Sequence, residues 1–211
     1  PSARLDSKKK TYVAMERGTD RVKALRAAFL AHRPKLDPAR TFFIDETGST
    51  TAMARDYARA PRGERVLDEV PRNYGDVITI VGALTANGLT ALFTYRGGTT
   101  KEAFVTYVRE VLAPELEPGD AVVLDNLAAH KDPHVRELVE NAGAKLYFLP
   151  PYSPDLNPIE LAWSWVKRWL KTARARTEAA VNNALRMAMD MVDAATASRW
   201  IRHCGYENQP E

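Results

Sequence analysis

Asp45, Asp125 and Glu160 are the residues of this sequence best placed to do chemistry. The two aspartates each close an apolar run, "FFID" and "VVLD", of the aromatic and β-branched kind that favours a strand. An unpaired carboxylate buried at such a point is costly, and strand ends are where α/β sheets place their chemistry. Either aspartate alone is accounted for by turn chemistry; the pair is more suggestive. Glu160 sits at the seam of "FLPPYSPDLNPIELAWSWVKRWLK", residues 148–171, where a proline-rich stretch meets a helical pattern. Its plain structural use would be capping, with Asn157 as N-cap, Pro158 as the first helical residue and Glu160 as the third. Helical arithmetic at 100° per residue weighs against that. Ile159, Trp163, Val166 and Leu170 form an apolar stripe, and Glu160, Ser164, Lys167, Lys171 and Arg174 a polar one roughly 90° away. From Leu161 to Arg176 there are five Lys or Arg residues and no acid, whereas a solvated helix mixes signs. A carboxylate able to hold a metal, heading cations able to hold a phosphate backbone, is what cutting a phosphodiester requires.

Other constellations are weaker. His130 and His134 have the spacing of zinc ligands, but Pro133 interrupts the helix that would align them and no third soft ligand lies nearby; a single accessory histidine is the better reading. Trp163, Trp165 and Trp169 could stack bases, yet at these spacings they read as core or its flank. There is no Walker loop, dinucleotide motif or nucleophile elbow.

The elements that must position these groups can be read in outline. "DRVKALRAAFLAHRP" puts Val22, Leu25, Phe29 and Leu30 on one helical face before Pro34. "TFFIDETGS" is a strand, and residues 49–76 a long charged loop or ribbon. "VITIVGALT" and "LTALFTY" flank "ANG", whose Asn87 and Gly88 would supply the positive φ angles of a tight hairpin. A helix follows with Ala103, Phe104, Tyr107, Val108 and Val111 inward. Then come the strand "AVVLDN", a helix from about Pro133 to Asn141, the strand "AKLYFLP", and two helices from Pro158 and about Thr177. The order is mixed α/β, with antiparallel and parallel parts. At 211 residues, 45% of them hydrophobic, one core is expected. The division expected is a basic leader over residues 1–38 and one catalytic domain over 39–211. Cys204 is the single cysteine, which rules out an intrachain disulfide and cysteine metal clusters. No apolar run reaches membrane-spanning length and no signal-peptide core opens the chain, so a soluble intracellular protein is expected. The net charge of +3 hints only weakly at a polyanionic partner.

"FIDETG", "VVLDNLAAH" and "LPPYSPDLNPIELAWSWVKRWLK" resemble the catalytic blocks of mariner-type transposases, in particular their bacterial insertion-sequence relatives in the DDE superfamily. The 34 residues between Asp125 and Glu160 match the interval of one mariner-type branch, and the likeness covers about residues 39–205. The resemblance implies a ribonuclease H-like α/β fold, a mixed five-stranded sheet of three antiparallel and two parallel strands flanked by helices. It implies cleavage of phosphodiesters at transposon ends and strand transfer into target DNA at a TA dinucleotide, by a homodimer on DNA. Asp45, Asp125 and Glu160 would be the catalytic carboxylates and the ligands of two Mg²⁺ ions, for which Mn²⁺ can substitute, with Asp45 bridging both. Asn126 and His130 would be accessory, and Lys167, Lys171 and Arg174 would bind DNA. The alternatives are a domesticated metal-dependent nuclease and a non-catalytic DNA-binding remnant. Only 44 residues precede Asp45, too few for the helix-turn-helix modules usual in the family. The chain is therefore read as either a natural catalytic half, with a separate DNA-binding polypeptide as one source of end recognition, or a remnant, and its expected place is a bacterial cytoplasm in association with the nucleoid.

Overall fold

The computed structural model describes residues 13–73 and 77–207; the start of the expected leader, residues 1–12, lies outside them. Five strands form one sheet, β1 (Thr41–Ser49), β2 (Ile78–Thr85), β3 (Gly88–Arg96), β4 (Ala121–Leu124) and β5 (Lys145–Phe148), in the order β3-β2-β1-β4-β5. β1, β2 and β3 pair antiparallel, while β4 runs parallel to β1 and to β5. This is the expected ribonuclease H-like sheet. α1 (Asp20–His32), α4 (Ile159–Ala173), α5 (Glu178–Met191) and α6 (Ala194–His203) cover one face; α2 (Lys101–Tyr107) and α3 (Pro133–Asn141) cover the other. The central strands are buried on both faces, so they read as apolar runs rather than as alternating patterns.

Period-2 geometry then assigns each strand residue to a face. On β1, Phe43 enters the core under α4 and Ile44 the core under α2; on β4, Val123 and Leu124 divide in the same way. Phe43 is the register partner of Val123. Two residues further along each chain come Asp45 and Asp125, level with one another and on the α4 side.

Four expectations about the elements need correction. On α1, Val22 and Phe29 are buried but Leu25 and Leu30 are 41% and 37% exposed. Its docking stripe is instead Val22, Arg26, Phe29 and Arg33, because the two arginines bond to the body through Ser153, Asp155 and the Cys204 carbonyl. After α2, Val108–Leu112 form a π turn, whose extra residue moves the inward position from Val111 to the fully buried Leu112. At the turn itself only Gly88 has positive φ, 130°. Asn87 does not, and a side chain at 88 would strike the Val192 carbonyl, 2.5 Å from an added Cβ. The helix expected from about Thr177 is two, because Asp193 caps a new one through the Thr196 N–H.

Candidate active site

A cleft of about 570 Å³ opens at the strand ends, and Asp45, Asp125 and Glu160 all line it. The strands deliver the two aspartates as described. Glu160 is delivered by the proline-rich seam, which is tied down on three sides. Arg26 of α1 donates to Ser153 Oγ at 2.6 Å and pairs with Asp155 at 2.8 Å. Tyr206 donates its buried hydroxyl to the Leu156 carbonyl at 2.8 Å. Asn157 donates its amide to the carbonyl of Ile44, the residue before Asp45, at 3.3 Å. That last bond overturns the capping account. The Asn157 side chain leaves the helix end for β1, and α4 starts with no side-chain cap. The apolar stripe of α4 is as read, with Ile159, Trp163, Val166 and Leu170 all buried. Trp163 lies over Gly82, the β2 residue paired with Asp45, so helix and strand approach closely where the glutamate meets the aspartate.

The electrostatics follow from this crowding. Burial, followed by the Glu160 charge, pushes the Asp45 carboxyl up to about 8, with Glu46 and Asp125 adding to the rise. Burial also raises Glu160; Lys167 opposes the shift and Asp125 adds to it. Asp125 ends below the usual carboxylate range: burial pushes it up, but His130, the Leu127 N–H and Lys131 outweigh that. The Leu127 N–H donates to Asp125 Oδ1 at 2.8 Å, so the turn role foreseen for this aspartate exists alongside its place in the cleft.

Sequence reasoning missed three groups. Glu46 points from β1 to the α2 side and meets His130 Nε2 at 3.0 Å, while His130 Nδ1 lies 2.7 Å from Asp125 Oδ1. Burial alone would lower the imidazole's pKa, but the two carboxylates raise it to about 9. The adjacency "DE" in "FIDETG" was the available signal, since neighbours on a strand address opposite faces. Arg21 and Lys131 add positive charge to the cleft; Arg21 is distant in sequence from the carboxylates, and Lys131, although near Asp125, belonged to no pattern that marked it.

Of the other expected residues, Asn126 lines the cleft and donates to the Leu149 carbonyl. His134 is exposed and pairs with Asp132 at 2.8 Å, far in role from the fully buried His130. Trp163 is core, and Trp165 and Trp169 are partly buried and stacked at 6.5 Å. Within the basic stripe, Lys171 pairs with Asp56 at 2.6 Å and Arg174 with Asp68, both acids belonging to the long loop after β1. Arg174 also leaves the helix, with φ of 50°.

Three carboxylates in one cleft are the hard oxygen donors that Mg²⁺ or Mn²⁺ takes, and the repulsion acting on Asp45 is what a dication relieves. Among the described residues no three His, Cys, Asp or Glu side chains stand close enough together to hold an ion as they are. The donor set fits in chemistry, and Glu160 is the exposed member of the three.

A family model described as DDE superfamily endonuclease matches residues 40–182. No curated protein sequence matches the chain. Among solved structures, the Mos1 transposase paired-end complex with the left transposon end aligns with a TM-score of 0.73 at 17% identity, over 96% of this chain and 64% of that one. The Mos1 mariner paired-end complex with Mn gives the same TM-score and identity, over 95% and 64%. The catalytic domain of Mos1 mariner transposase aligns with a TM-score of 0.64 at 16% identity, over 93% and 92%. The chain thus spans under two thirds of the transposase in the paired-end complexes and nearly all of the catalytic domain. Among the described residues no helix is long and apolar enough to cross a membrane.

Proposed function

The chain belongs to the DDE superfamily endonuclease family, and from that premise we propose that it is a transposase catalytic domain, cutting phosphodiesters at the ends of a DNA element and joining the freed 3′-hydroxyl to target DNA. The observation that carries the reading is the meeting of Asp45, Asp125 and Glu160 in one cleft, from two strand ends and a helix start, with 34 residues between Asp125 and Glu160. Residues 39–211 are the catalytic domain in this reading, and residues 1–38 a leader, of which Arg26 and Arg33 bond to that domain.

Asp45, Asp125 and Glu160 would hold a pair of Mg²⁺ or Mn²⁺ ions. Bound there, such ions supply the Lewis acidity that activates the attacking oxygen and stabilises the leaving one. The remaining work belongs to the chain. Asp45 must surrender the proton that burial and Glu160 let it keep at neutral pH. Arg21 and Lys131 face the cleft that the carboxylates line, where they would counter the charge of the scissile phosphate. Asn126 and His130 serve as accessory groups, the first bracing the Leu149 carbonyl and the second beside Asp125. The transposon-end DNA and the Mn of the similar solved structures support DNA ends and a divalent metal here. A TA target, a homodimer on DNA, and a bacterial, nucleoid-associated location complete the proposal.

Lys167, Lys171 and Arg174 would contact the backbone leading to the cleft, and their ion pairs rank them. Lys167 forms no close ion pair among the described residues, its charge acting on Glu160 from further off, whereas Lys171 and Arg174 are matched by loop acids. Lys167→Ala is expected to lower the slope of log affinity against log salt by about 0.9. Lys171→Ala should lower it by less, and Asp56→Ala should strengthen binding by freeing Lys171. Titrations at several salt concentrations check this; equal and negligible effects would make the stripe a solvated face. The reading as a whole is tested with purified protein, Mn²⁺ and DNA carrying its own element ends. Cleavage followed by joining of pre-cut ends supports it. Cleavage without joining indicates a nuclease, and no metal-dependent cleavage a DNA-binding remnant.

A further inference from the structure

His130 has no solvent exposure, and its ring packs on Phe104 with centroids 4.1 Å apart. It is nevertheless flanked by two carboxylates, Glu46 on Nε2 at 3.0 Å and Asp125 on Nδ1 at 2.7 Å. Burying an imidazole between two acids costs desolvation that an apolar side chain of similar size would avoid, so packing alone does not account for it. The atoms contacted are more telling. The Leu127 N–H donates to Oδ1 of Asp125, and His130 Nδ1 stands 2.7 Å from the same oxygen as a charge contact rather than an aligned hydrogen bond. The printed contacts of this carboxylate all fall on Oδ1, and no hydrogen bond or ion pair among the described residues reaches Oδ2, on a residue that lines the cleft.

The geometry points to Glu46 as a positioning residue for this centre, acting through His130 to hold Asp125 with one oxygen presented to the cleft. It rests on the proposed function, because the orientation matters only if Oδ2 has an ion to bind. Strand alternation makes the arrangement possible. The consecutive residues Asp45 and Glu46 address opposite faces of the sheet, so the first lines the cleft itself and the second supports Asp125 from beneath β4. Side chains that orient a metal-binding group typically change affinity 10- to 100-fold when removed. The Nε2–H bond to Glu46 fixes the ring plane, and with it the direction from which Nδ1 meets Oδ1. The side chain of Phe104 on α2 packs against the ring.

The test is Mn²⁺ binding by the full chain, without DNA, together with cleavage as a function of Mn²⁺. It compares the wild type with Glu46→Ala, Glu46→Met and Glu46→Gln. Met fills the space without an acceptor; Gln keeps a carbonyl oxygen that can accept from Nε2. Ala and Met are expected to raise half-saturating Mn²⁺ by ~10- to 100-fold, with the cleavage rate at saturating Mn²⁺ within a few-fold of wild type. Gln should recover most of the lost affinity. Thermal unfolding of each variant separates this from misfolding, and Met keeps the question answerable if Ala does not fold. Wild-type affinity in both Ala and Met overturns the inference, as does a lowered plateau with unchanged half-saturation, or Gln behaving like Ala. A wild type that neither binds Mn²⁺ nor cuts DNA would fail earlier, at the proposed function.

Discussion

Asp45→Asn is expected to remove metal-dependent DNA cleavage by on the order of 10³-fold or more while raising the Tm of the metal-free protein at pH 7. Both effects come from one cause. The folded carboxyl titrates at about 8, against its ordinary value of 3.8, because it is buried beside Glu160 and within reach of Glu46 and Asp125. Below pH ~4 the group is protonated in both states and costs nothing. Between ~4 and ~8 the folded state holds a proton that the unfolded state has released, so stability falls as pH rises through that window. Above ~8 the cost is constant. Asparagine has no such titration, so the gap between variant and wild type should open from near zero at pH 4 and level off above pH 8. Allowing for the part of the group that solvent still reaches, a gain of ~2 kcal/mol is reasonable, or about 5 °C for a chain of this length. Added Mn²⁺ should reverse the order, stabilising the wild type by mass action and leaving the variant where it was. Thermal unfolding at several pH values, with and without Mn²⁺, reads both halves. A variant that loses stability in the absence of metal would mean Asp45 is a structural turn residue.

What the sequence disclosed was what local patterns encode. "FFID" and "VVLD" gave strands ending in carboxylates because apolar runs and their stops are neighbours in the chain. Parallel pairing of β1 with β4 brings them level without any further instruction. The α4 stripe was legible because 3.6-residue periodicity is local too. Its charges were not. "KRWLKTAR" looks like an unopposed basic row, and only the folded loop brings Asp56 and Asp68 to Lys171 and Arg174, more than a hundred residues away in sequence. The same limit hid Glu46, whose partner lies 84 residues on, and it misread Asn157, whose amide prefers a strand carbonyl 113 residues back to the helix end beside it. On α1 the apolar pattern misled because two arginines, Arg26 and Arg33, carry half of the docking stripe. Their charge argued for solvent, while their partners Asp155 and the Cys204 carbonyl could be found only by folding.

Gly82 is where that limit has its largest consequence, and Gly82→Val is expected to cost ~3 kcal/mol and about 10²-fold in cleavage without touching a carboxylate. In "VITIVGALT" the glycine reads as a weak spot in a strand, which often marks a bulge or a close approach. It is both. Ala91 and Leu92 of β3 together face Gly82 across a register shift, Ala91 with φ of 48°. A Cβ added at 82 would lie 2.2 Å from Leu92 Cδ2 and 3.3 Å from the Trp163 ring. Leu92 is flexible and can turn aside. Trp163 cannot, because it is buried in the core that seats α4, one turn after Glu160. Alanine should therefore be absorbed at about 1 kcal/mol. Valine must lift the helix from the strand at the level of Asp45, the register partner of Gly82, and so draw Glu160 away from the aspartates. A displacement near 1 Å is enough for the activity loss. Gly48→Ala in β1 is the control, since an added Cβ there meets only Val77 at an ordinary 3.5 Å; it should stay within ~0.5 kcal/mol of wild type. Denaturant unfolding and Mn²⁺-dependent cleavage measured on the three variants decide the matter. Full cleavage by a destabilised Gly82→Val protein would show that Glu160 does not depend on the seat of Trp163.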